Sequence, residues 1–132
     1  MLARPRIRGR HVALANKNHA ALMYLLERDG EFSEWVTVVA FYKAVHLVDA
    51  ALVNKLGRSG HGHADRLDRV KRLGDEHLHK HFRILWSASS IARYLFDGTG
   101  ESEKKEYSSF SDYLPPDDVK KKIVDKRLYG VE

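Results

Sequence analysis

The sequence predicts an all-α fold, an antiparallel bundle of four to five helices, and three observations carry that expectation. Residues 35–56 and 75–97 are each too long for an ordinary strand and contain neither Gly nor Pro. Their apolar residues recur at helical spacing. No stretch elsewhere reads as a credible strand, and no internal repeat is present.

Residues 1–9 are basic, with Arg4, Arg6 and Arg8, and lack the apolar run of a secretory signal, so an N-terminal arm is expected there. A first helix over about 9–27 follows, with Val12, Leu22, Leu25 and Leu26 apolar, and Arg28-Asp29-Gly30 marks its end as a turn. Ser33 then stands where an N-cap belongs, and Glu34 favours the positive end of the next helix.

That helix, WVTVVAFYKAVHLVDAALVNKL, is central. On a wheel of 100° per residue Thr37, Lys43, Asn54 and Lys55 share one third and read as the outward face. Trp35, Val38, Val39, Phe41, Val45, Leu52, Val53 and Leu56 fill the opposite side. Tyr42, His46 and Asp49 project from within that apolar arc at i, i+4 and i+7, so they are expected near the core and need polar partners. Gly57 supplies the stop.

Residues 58–63 read as a flexible connection, and HADRLDRVKRL as a short helix with Leu67, Val70 and Leu73 inward and Arg66, Arg69 and Lys71 free for other work. In the second long helix Ser89 and Arg93 fall within the apolar arc, beside Trp86. Residues 98–114 are polar and form a long loop or lid. Pro115 and Pro116 open a last helix over 116–129, with Asp117 and Asp118 in its first turn and Lys126 and Arg127 in its last.

At 132 residues the chain fits a single domain, 1–132. The absence of Cys excludes disulfides and thiolate metal sites, and no run of about eighteen residues is apolar and free of charge, so a cytoplasmic protein with no membrane association is the expectation. A net charge of +5 and a pI near 9.5 suit a polyanionic partner.

Three constellations carry chemistry. Antiparallel packing of the two long helices brings Tyr42, His46 and Asp49 toward Ser89 and Arg93, where Asp49 can pair with Arg93 or orient His46. This set is either a buried network that fixes helix register or an electropositive pocket for a phosphate, with His46 as acid or base. In GHGHADR, His61, His63 and Arg66 join imidazole to guanidinium, a pairing suited to a phosphodiester without a metal. In HLHKH, His77 and His81 share a helix face at i, i+4, but no third ligand stands at a zinc-site distance, so neither metal nor cofactor is expected.

These segments in order, WVTVVAFYKAVHLVDAALV, SGHGHADR and SASSIARY, resemble the HEPN (higher eukaryotes and prokaryotes nucleotide-binding) superfamily over residues 35–94. Its members read W-x-x-x-x-A-F-Y-x-A-x-H-x-x-x-A, S-H-x-x-R and S-x-x-A-R-Y. In the middle motif both His61 and His63 can stand for the histidine. The resemblance implies a HEPN-like helical domain, commonly a homodimer, that binds RNA or a nucleotide. In many members it also implies metal-independent ribonuclease activity in toxin–antitoxin, defence or RNA-processing systems, some with a cognate protein partner. Cleaving members carry Arg-x4-6-His. Here no His follows Arg93, and the matches elsewhere include Arg6 to His11, Arg58 to His63 and Arg72 to His77, the last straddling the turn into a long helix.

The expected site therefore has His46, His63 and Arg93 as catalytic residues and Tyr42, Asp49, Arg66, Arg72, His77, Ser89 and Tyr94 as substrate-binding ones. The alternative from another class is a non-catalytic dimerisation or protein-interaction module whose polar network is internal.

Overall fold

The computed structural model describes residues 4–28, 30–99 and 105–132. It is mostly helical, and among these residues no strand is present. The elements are α1 (Arg4–Leu26), α2 (Ser33–Leu56), α3 (His63–Arg72), α4 (Glu76–Tyr94), α5 (Phe110–Tyr113) and α6 (Pro116–Val119). From α6 the chain runs without a break into a π-helical segment, Lys120–Leu128, and then α7 (Tyr129–Val131).

Helix α1 starts earlier than expected, so Arg6, Arg8 and Gly9 are helical rather than part of an arm; residues 1–3 of that expected arm lie outside the described residues. Pro5 sits in the first turn, where a missing N–H costs no hydrogen bond. Asp29 of the expected turn is likewise outside the described residues.

α2 is enclosed from two sides. α1 runs antiparallel along it, with Arg8 bonded to Asn54, His11 to His46 and His19 to Lys43. α4 also runs antiparallel: Phe41 meets Phe82, ring centroids 5.6 Å apart, while Trp35 and Val38 line a cleft with Ala92, Arg93 and Tyr94. Phe41, Phe82, Leu22, Leu52, Leu85, Ile91 and Leu128 are fully buried in the resulting core. Truncating either Phe there would cost about 3–5 kcal/mol.

This enclosure overturns the outward face assigned to α2. Thr37 and Lys43 are buried, Lys43 between α1 and the C-terminal segment where solvent was expected. Thr37 Oγ1 donates to Ser33 O at 2.9 Å. Lys43 Nζ donates to Glu132 Oε1 at 2.6 Å and to His19 Nδ1 at 3.0 Å. Conversely Trp35 and Leu56, at the two ends of α2, are exposed. By length and composition α2 could cross a membrane; its most apolar window has a mean hydropathy of 1.7 and is 67% buried inside the fold.

Local signals set the boundaries. Ser33 is the first helical residue rather than the cap, and its Oγ donates to Gly30 O at 2.7 Å. Gly57 ends α2 at φ 88°, a left-handed conformation open to Gly, with its N–H on Val53 O. Asp75 caps α4 by accepting the Leu78 N–H at 2.9 Å. α4 stops at Tyr94, three residues before the expected end, with Leu95 left-handed at φ 56°.

The polar stretch 98–114 is less free than a lid. Ser90 Oγ donates to Phe96 O and accepts the Gly98 N–H, and Phe110 and Leu114 are buried around α5; residues 100–104 lie outside the described residues. In the C-terminal helix Val119, Ile123 and Leu128 are all buried. The last two are five residues apart, and i→i+5 winding brings that spacing onto one face.

Candidate functional site

The polar set is anchored by a buried ion pair between α2 and α3. Asp49 accepts Arg66 Nε at 2.8 Å and Nη2 at 3.1 Å, and its Oδ1 also takes the Gly60 N–H at 3.1 Å. The two side chains are only 4% and 8% exposed. Arg66, expected to be free, is thus committed to Asp49, and of the two roles expected for Asp49 the pairing with Arg93 does not occur. Arg69, also expected to be free, is buried and paired with Asp65 at 2.8 Å.

The segment before α3 is held rather than flexible. Beyond the Gly60 bond, His61 N–H donates to Asp65 Oδ2 at 2.8 Å. A Cβ on Gly60 would stand 2.9 Å from Arg66 Cβ, so glycine here permits a close approach. Of the two candidate histidines, His63 meets Arg66, while His61 is exposed and bonded to Arg58.

His63 is the hinge between the buried pair and the surface. Its Nδ1 lies 2.8 Å from Arg66 Nη1. Arginine only donates, so Nδ1 accepts and the neutral ring carries its proton on Nε2. Burial, then the Arg66 and Arg93 guanidiniums, push the imidazole down to about 4 against the opposing pull of Asp49. Rings of Phe41, Tyr42 and Trp86 surround it at centroid distances of 4.8, 6.2 and 5.9 Å. His63 is therefore a neutral hydrogen-bond donor at pH 7.

Arg93 lies near His63, and both sit against Tyr42. Its Nη1 donates to Tyr42 Oη at 3.3 Å and its Nε to Ser89 O at 3.2 Å. Its guanidinium carbon lies 5.8 Å from the Tyr42 ring centroid and 5.1 Å from that of Tyr94. Among the described residues it has no carboxylate partner. The site thus offers a half-buried cation, without a carboxylate at ion-pair distance among the described residues, beside a neutral N–H donor, an arrangement that can hold an anion.

His46 faces away from this pair, toward α1. Its Nδ1 is 3.1 Å from His11 Nδ1, and His11 Nε2 is 2.7 Å from Ser59 Oγ. Burial and His11 lower the His46 pKa, with Asp49 opposing. His11 was not among the expected site residues, because the register of α1 on α2 is set by packing between helices and leaves no local mark.

The remaining expected residues divide. Tyr94 is 68% exposed beside Arg93. Ser89 is fully buried, its Oγ has no hydrogen-bond partner among the described residues, and only its carbonyl serves Arg93. Arg72 is exposed and paired with Asp68, and His77 packs edge-on to His81, so neither joins the set. Among the described residues no group of three His, Cys, Asp or Glu side chains is placed to hold a metal ion.

Fold and site together define an all-α protein with a buried ion pair supporting a half-open cationic site. No protein-family model, curated protein or solved structure matches the chain.

Proposed function

We propose that this chain is a cytoplasmic, HEPN-like helical-bundle protein that binds the phosphate of RNA or of a nucleotide between Arg93, Tyr42 and His63. The observation that carries the reading is Arg93. A guanidinium held by a phenol and a carbonyl, with no acidic partner among the described residues, keeps donors for a ligand's oxygens. Asp49 and Arg66 have a supporting role: their pair fixes α3 against α2 and presents His63 in one tautomer.

The geometry favours binding over cleavage at His63. Its Nδ1 is occupied by Arg66 and its pKa lies far below neutrality, so it neither takes nor releases a proton near pH 7. It instead donates from Nε2 to a phosphate oxygen. His46, the other expected catalytic histidine, bonds His11 of α1 instead of this set.

Fluorescence anisotropy with labelled single-stranded RNA tests the reading. Arg93→Ala is expected to weaken binding about tenfold, the scale of a lost charge-assisted contact. Equal affinity of variant and wild type would move the binding function elsewhere or leave only the assembly role, in which the polar set serves helix register.

A further inference from the structure

Arg93 also borders a second, unlike surface. The first turn of α2 and the last turn of α4 enclose a cleft of about 360 Å³, lined by Glu34, Trp35, Val38, Ala92, Arg93 and Tyr94. That volume falls within the roughly 300–1,000 Å³ range of small-ligand sites. Trp35 and Tyr94 are 60% and 68% exposed, although the other large apolar residues along the middle of α2 and α4 are packed into the core. Two large aromatic side chains left open beside the Arg93 guanidinium form a surface with flat π faces and one fixed positive charge.

We propose that this cleft is a stacking subsite for an unpaired nucleobase of single-stranded RNA, adjoining the phosphate held by Arg93. The inference rests on the phosphate-binding reading above and adds what flanks the phosphate. Bases stack on exposed aromatic rings whatever their sequence, and arginine tracks the backbone between them. Glu34 sets the polarity of the arrangement: its carboxylate repels a phosphate from the Trp35 end, so the phosphate goes to Arg93 and the base over the rings. A double helix hides its base faces, so the subsite selects single strands.

The test compares three labelled ribo-oligomers of one length: oligoadenylate, oligouridylate and an abasic ribose-phosphate chain. Wild type should bind oligoadenylate most tightly and the abasic chain most weakly. Trp35→Ala and Tyr94→Ala should each lower affinity for oligoadenylate about tenfold, leave the abasic chain unchanged, and leave the salt dependence unchanged. Tyr94→Phe should retain wild-type affinity, because the ring and not the hydroxyl stacks. Arg93→Ala should weaken all three. Both alanine variants alter exposed positions, and circular dichroism verifies their fold.

If wild type binds all three oligomers equally and the aromatic variants change nothing, the base subsite is refuted while the phosphate site stands. If wild type binds none of them, the phosphate-binding reading fails and the subsite with it. If Trp35→Ala halves the solution mass without altering RNA affinity, the cleft is a contact between copies of the chain, and the proposal is overturned.

Discussion

Replacing Asp49 by Ala isolates the energetic role of the buried pair. The carboxylate accepts three hydrogen bonds, two from Arg66 and one from Gly60, and both charged side chains are almost wholly removed from water. Deleting one partner strands the Arg66 guanidinium in the interior, a change that costs about 3–5 kcal/mol. That is a large part of the roughly 5–15 kcal/mol by which a domain is stable. With a urea slope of about 2 kcal/mol per M, the unfolding midpoint of Asp49→Ala should fall by about 2 M. Replacing both partners, as Asp49→Leu with Arg66→Met, removes the stranded charge and should recover most of that loss. The double variant should still bind RNA poorly, because His63 loses the donor that fixes its tautomer. Urea titrations followed by circular dichroism at pH 7 measure all three proteins. A loss below about 1 kcal/mol for Asp49→Ala would refute the claim that the pair is sealed from water.

Two further outcomes follow from the same site. Ser89→Ala deletes a buried hydroxyl without a hydrogen-bond partner among the described residues, so it should leave stability unchanged or raise it by about 1 kcal/mol, with RNA affinity unaltered; a weakened affinity would place Ser89 in contact with ligand. Stability should also fall with acid: His63 is held near 4 in the fold against 6.5 when unfolded, so between those values the unfolded chain binds more protons and the contribution present above pH 6.5 is lost. Discounted by half for partial solvent exposure, the loss from pH 7 to pH 5 is about 1 kcal/mol from this residue. His46 and His81, also lowered chiefly by burial, act in the same direction. His63→Gln, whose side-chain oxygen can accept from Arg66, should flatten the dependence; an unchanged slope would show that His63 does not titrate as described.

The parts of the fold legible in the sequence are those governed by local pattern. The apolar repeats of α2 and α4, the stop at Gly57 and the acidic start of α6 are written in consecutive residues, and the structure has them within a few positions. What depends on which helix covers which face was not legible. Lys43 and Thr37 look like solvent residues on a wheel, yet both are buried, Lys43 between α1 and the C-terminal segment through His19 and Glu132. Arg66 and Arg93 are equally plausible partners for Asp49 by type; the three-residue step from His63 to Arg66, one turn of α3, is the signal that could have separated them. Trp35 fits an apolar stripe by composition, but α4 ends beside it, so it has no core to enter. The five-residue step from Ile123 to Leu128 breaks an α-helical repeat, and it becomes regular only once the π-helical winding is known.

If Arg93 holds a phosphate, the salt dependence of RNA binding measures it most directly. Each phosphate neutralised on a single strand contributes a slope of about −0.7 in log K against log salt. Wild type should bind single-stranded RNA with a clear negative slope, and Arg93→Ala should bind more weakly with a slope shallower by about 0.7. An identical slope in the two proteins, or no binding by wild type at low salt, would contradict the account.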